Sequence, residues 1–223
     1  MKRSTDAGIG ESYRAPLPTL RGRWLFIARA AWIALAAVIL GLDAAGIPYA
    51  YAKAGEVCTG ADCADLGRLT PEGLQALQDL GLSAELYAAY IGVGLSTAAT
   101  LVFVTVAAVI FWRRSEDRMA LFGAFMLLLF GGAAFTGTMR ALAEAHTVFW
   151  FPINLLDYAG QLAFGVFFYL FPDGRFVPRW TRWLALAAAL LFVPATFFPD
   201  SPFNLLDSPL FVGFLGSLVF AQV

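Results

Sequence analysis

The sequence predicts an all-α fold, a polytopic helical membrane bundle, and three observations predict it. Of 223 residues, 60% are hydrophobic and only 14% charged, whereas a soluble helical domain gives each helix one apolar stripe and a polar back. The apolar residues form long runs, and about 20 residues suffice to cross a bilayer core of roughly 30 Å. The charged residues gather in short clusters between those runs, with Lys and Arg enriched in every second cluster. Five complete spans and a truncated sixth are expected.

In chain order, residues 1–23 form a cytoplasmic amino-terminal tail and 24–42 the first span. Arg29 lies about one turn inside that span, where its stem lets the charge snorkel to the edge. An extracytoplasmic loop, 43–86, carries both cysteines and a short helix. The second span, 87–112, ends on its most apolar stretch, Leu101 to Trp112. A cytoplasmic loop at 113–118 precedes the third span, 119–137, and an outer loop at 138–148 precedes the fourth, 149–171. The loop 172–182 returns to the cytoplasm, 183–197 is the fifth span, and 198–208 is an outer loop. Residues 209–223 read as part of a sixth span, apolar to the last residue. Trp112, Phe149, Trp150, Phe151, Trp180 and Trp183 sit at span ends, as an interfacial aromatic belt requires. Small residues at Gly94–Ala98 and Gly131–Ala134 allow close helix approach.

Charge sets the orientation. Twelve of the fifteen basic residues fall on one set of alternate segments, among them Arg113, Arg114, Arg118, Arg175, Arg179 and Arg182. Only Lys53, Arg68 and Arg140 fall on the other set, which holds most of the acidic residues. The positive-inside rule then makes the amino terminus cytoplasmic. The basic clusters are short and flank spans, so topology accounts for them and nucleic acid is not an expected partner. Ala50-Tyr51-Ala52 has the small-x-small form of a signal-peptide cleavage site. The apolar core ahead of it is too long and too distant, so an uncleaved anchor is expected.

In the outer loop, Cys58 and Cys63 are the only cysteines, and on an oxidising face they are expected to close a short disulfide. Their four-residue spacer is not that of a redox or zinc motif. Thr70 suits an N-cap, Pro71 the first helical position, Glu72 the positive helix end and Gly81 the stop. Leu74, Leu77 and Leu80 are expected to share a face, and Ser83 with Glu85 to start the second span. This loop either caps the bundle, the preferred reading, or binds a ligand. It is too small for an independent enzyme domain.

Polar residues inside spans are the candidate sites for a stimulus. Asn154, Asp157 and Gln161 recur on one face of the fourth span, and Arg140 is a candidate counter-ion for Asp157. The same stripe also reads as interhelical hydrogen bonding. No catalytic residues are expected. The single histidine, His146, is read as a solvated outer-loop residue, and one histidine supplies neither a haem pair nor a zinc triad. There is no nucleophile motif or phosphate loop. No cofactor or metal is expected.

Pro172 ends the fourth span, Asp173-Gly174 supplies turn chemistry, and three arginines hold the following loop inside. The string FPDGRFVPRW, Phe171 to Trp180, closely resembles a loop in the multi-pass membrane region of bacterial sensor histidine kinases and related uncharacterised membrane proteins. Cys-Thr-Gly-Ala-Asp-Cys at 58–63, Leu-Thr-Pro-Glu at 69–72, Ile-Phe-Trp-Arg-Arg-Ser at 110–115 and Phe-Phe-Pro-Asp-Ser-Pro at 197–202 point the same way, so the resemblance covers most of the chain. It implies a sensory input module of the bacterial inner membrane in a two-component system, without the transmitter kinase domains. The expected partners are the lipid bilayer, a second copy of the chain, and a carboxy-terminal kinase domain or cytoplasmic signalling protein. Two competing readings are a small transporter or channel subunit and a structural membrane protein.

Overall fold

A computed structural model describes residues 22–59, 69–133, 137–171, 174–176 and 178–198. Every element among them is helical. Helix α1 is Arg23–Gly55, α2 is Pro71–Asp79, and α3 is Ala84–Arg114 with a π-helical segment at Ala88–Gly94. Next come α4, Arg118–Ala133, and α5, Gly137–Ala145. A 3-10 turn at Thr147–Phe149 leads into α6, Trp150–Leu170, and α7 is Thr181–Phe197.

Three of these segments are long and apolar enough to cross a membrane: Arg23–Gly55, Ala84–Arg114 and Thr147–Leu170. Helices α4 and α5 make a fourth if the pair is counted as one broken span, since their axes differ by 60°. Of the expected third span, 119–137, helix α4 is described to Ala133, and the expected outer loop at 138–148 is largely helix α5. Helix α7 has 17 residues, short of a typical span by a turn. Residues 209–223, the expected partial sixth span, lie outside the described residues, as do 1–21. Among the described residues the structure shows three such helices, or four with the bent pair.

The largest difference at the amino-terminal side concerns α1. In place of an end near Leu42, it continues to Gly55 and takes in Asp43, Pro48 and Lys53. The segment after Leu42 is rich in alanine, the best helix former, and this carries the helix past Pro48. The outer loop is correspondingly shorter, and the Ala50-Tyr51-Ala52 tripeptide is helical.

Within that loop the capping chemistry follows the residues. Thr70 Oγ1 accepts from the Gly73 backbone N–H at 3.1 Å, and Ser83 Oγ from that of Leu86 at 3.2 Å. Gly81 adopts φ +72°, and the N–H groups of Gly81 and Leu82 bond the carbonyls of Gln78 and Leu77. That is a Schellman stop, which a glycine completes without Cβ strain. Leu74 and Leu77 are half-buried, whereas Leu80 points outward. Cys58 is not a free thiol, but its expected partner Cys63 lies outside the described residues.

The bundle has two distinguishable ends. Arg29 donates from Nε and Nη2 to Ser115 Oγ at 3.1 and 2.6 Å, tying the start of α1 to the α3–α4 turn. Arg29 thus holds a specific partner as well as reaching the edge. A Cβ on Gly174 would lie 4.0 Å from Met119 Sδ, so the α6–α7 turn meets the same end. Arg113, Arg114, Arg118, Arg175, Arg179 and Arg182 therefore share one end, with exposed Trp112, Trp180 and Trp183. Gly174 has φ +66°, as an Asp-Gly turn demands, while Asp173 itself lies outside the described residues. Asp117 also sits at this end and caps α4, its Oδ1 accepting from Met119 N–H at 2.8 Å.

The interior near the basic end is packed tightly. Trp32 stacks on Phe111 with centroids 4.4 Å apart and donates from Nε1 to the Ala124 carbonyl at 3.2 Å. At the far end of α4, away from the arginines, an added Cβ on Gly131 or Gly132 would collide with Phe103 or Ile39. These small residues let α4 approach α3 and α1, where dispersion does the work that water-driven burial does elsewhere.

Candidate functional site

At the end opposite the arginine clusters, α1, α3 and α5 splay around a cleft of about 430 Å³. Each wall follows from local sequence. Helix α1 presents Ala50, Lys53 and Ala54, spaced i, i+3, i+4 on one face. Helix α5 presents Gly137, Arg140, Ala141 and Glu144 at the same kind of spacing. Tyr87, Ile91 and Ser96 come from α3, and the intervening π-helical turn keeps these residues on the cleft side. Single π turns inside α-helices occur often at functional sites. Leu69, 3% exposed, closes the top, and the Cys58 N–H bonds its carbonyl at 2.8 Å. Leu69 therefore caps the cleft from the segment before α2.

Two polar contacts latch α1 to the far end of α5. Lys53 Nζ pairs with Glu144 Oε2, and Tyr49 Oη lies 2.8 Å from His146 Nε2. His146 is solvent-exposed as expected, with a partner the sequence did not suggest. Deeper in, Asp43 is 4% exposed and its Oδ1 accepts from Thr138 Oγ1 at 2.5 Å. A Cβ on Gly46 would stand 2.2 Å from the Thr138 carbonyl oxygen, so glycine there is a condition of the helix contact.

Behind the cleft lies part of the predicted stripe. Arg140 Nη2 is 3.9 Å from Asp157 Oδ2, and Gln161 Nε2 donates to the two Asp157 oxygens at 3.3 and 3.4 Å. Asp157 is nearly enclosed, at 13% side-chain exposure, whereas Arg140 is 71% exposed. The structure thus brings Arg140, Asp157 and Gln161 together, and Arg140 reaches them from a helix, not from a loop. Asn154 is half-buried one turn away and takes no part in this arrangement among the described residues.

Sequence reasoning missed Asp43, Lys53, Ser96, Glu144 and the π turn. The first two read as loop residues because the apolar run fades after Leu42. The i, i+4 pair Arg140 and Glu144 on an alanine-rich segment was the available signal for α5. Among the described residues no group of three or more His, Cys, Asp or Glu is placed to hold a metal ion. The cleft wall carries Lys53, Arg140 and Glu144 beside apolar residues, with Asp157 behind Arg140. No protein-family model, curated protein or solved structure matches this chain.

Proposed function

We propose that this chain is a membrane-embedded input module of the bacterial sensor histidine kinase type. It sits in the bacterial inner membrane with its amino terminus cytoplasmic, five spans and part of a sixth. A transmitter kinase domain in a longer parent chain, or a cytoplasmic partner, receives the output. The module itself performs no catalysis, and a Cys58–Cys63 disulfide steadies the outer cap.

One observation carries the reading: a single helix, α6, holds Asp157 and Gln161 at the cleft end and runs at Leu170 into the FPDGRFVPRW turn at the basic end. A stimulus that binds one helix arrangement more tightly than another shifts their populations, and α6 is placed to pass that shift on. A transmitter kinase fused behind the bundle tests this. Asp157→Asn is expected to change autophosphorylation about 5-fold or more, the usual lower range of allosteric coupling.

A second reading, a small transporter or channel subunit, is favoured by the break between α4 and α5 beside a membrane carboxylate, since broken helices often line ion paths. Unchanged kinase output together with a substrate flux in proteoliposomes that Asp157→Asn abolishes would replace the first reading by the second. Orientation has its own check in a Cys58→Ser, Cys63→Ser background. An impermeant maleimide on intact cells is expected to label a cysteine at Gly81 and spare one at Arg175.

A further inference from the structure

We propose that the outer cleft binds the carboxylate or phosphate head of an amphiphile, with Arg140 as the residue that grips it. This rests on the input-module reading and deepens it by naming the chemical class of its stimulus.

Charge is the first support. Lys53 is already paired with Glu144, which leaves Arg140 as the cleft cation least neutralised by its own surroundings. Its contact with Asp157, at 3.9 Å, is too long for a hydrogen bond. A guanidinium presents a planar fork of donors that matches carboxylate and phosphate oxygens two at a time. Asp157, fixed from behind by Gln161, acts as a positioning residue that aims the fork and does not occupy it.

Shape is the second support. About 430 Å³ lies within the usual range for small-ligand sites, roughly 300–1,000 Å³. Ala50, Ala54, Ile91 and Ala141 give the cleft apolar walls, and Ile91 is also 50% exposed on the flank of α3. A ligand with an anionic head and a hydrocarbon body satisfies both kinds of wall, and the exposed side of Ile91 offers its tail a path along the helix. Either an anionic lipid or a free fatty-acid-like molecule supplies that chemistry.

The test is thermal unfolding and affinity of the full chain in phosphatidylcholine nanodiscs, with decanoate and dihexanoyl phosphatidate as probes and decanol as the uncharged control. Either anion is expected to raise Tm where decanol does not. A response to phosphatidate alone marks a lipid headgroup as the source, and one to decanoate alone marks a free acid. Arg140→Gln is expected to weaken binding about 10-fold or more, the loss of a charge-assisted hydrogen bond, and Arg140→Lys to weaken it less. Gly137→Leu keeps every charge and fills the cleft, because a Cβ there meets only Ser96 Oγ at 3.9 Å, and it is expected to abolish binding. Equal shifts with decanol, or wild-type affinity in both Arg140→Gln and Gly137→Leu, would overturn the site. Binding that leaves the fused kinase silent would keep the site and remove the sensory role.

Discussion

The two ends of the bundle are built differently. At the basic end, α1, α3, α4 and α6 are unbroken, and Trp32 stacks on Phe111 and bonds the Ala124 carbonyl. Toward the other end every one of these helices, or its continuation, is irregular or charged. Helix α1 contains Pro48, α3 its π turn, and α4 gives way to α5 across a 60° change of direction. Asp43, Arg140 and Asp157 are also found there. Backbone that leaves its regular hydrogen bonding is tolerated at membrane depth only where protein or a wet cavity meets the freed groups. The π turn lies partly in the cleft wall, through Ile91 and Gly92, and partly on the exposed flank, through Tyr90. One end is closely packed and the other holds the cleft.

Substitutions can break that contrast. The largest effect is expected from Gly46→Leu, which drives a side chain into the Thr138 carbonyl and forces α1 from α5. Overpacking of this kind costs about 1–3 kcal/mol. Gly41→Leu on the same helix meets nothing within 4 Å and is expected to leave stability unchanged. Denaturant titration of both variants in mixed micelles measures the difference, and equal losses would mean that the α1–α5 contact does not hold the cleft end.

Asp43→Ala comes next. It leaves the fully buried Thr138 hydroxyl without its acceptor, at about 1–3 kcal/mol, whereas Asp43→Asn keeps an acceptor and should lose less. The same titration orders the pair. At the basic end, Trp32→Phe preserves the stack on Phe111 and deletes the bond to Ala124. Interhelical hydrogen bonds in membranes average about 0.6 kcal/mol, so a loss near that value is expected. A loss above that of Asp43→Ala would reverse the ranking of the two ends.

The smallest effect belongs to Lys53→Met. The pair with Glu144 is 38% and 60% exposed, and such surface pairs contribute about 0–1 kcal/mol. Stability should change little and should lose part of its salt dependence. A large loss would show that the latch, and not the Gly46 contact, closes the cleft end.

The resemblance of the FPDGRFVPRW turn to a sensor region rests on the sequence alone. Gly174 at φ +66° fits a turn at that loop without identifying its family.

The sequence by itself determined the helical class, the three long apolar segments, the caps at Thr70 and Ser83, the Gly81 stop and the sorting of arginines. Each depends on local chemistry: a run of apolar residues, a hydroxyl three positions before an N–H, a residue without Cβ, a charge that must stay in water. Only the tertiary structure decided that α1 continues past Asp43, that residues 137–145 are helix and that α4 bends away from α5. It also decided that Lys53, Arg140 and Glu144 meet across one cleft. Those outcomes depend on what a segment packs against. A weakly apolar, alanine-rich stretch is helix or loop according to whether a neighbour such as Thr138 comes close enough to hold it.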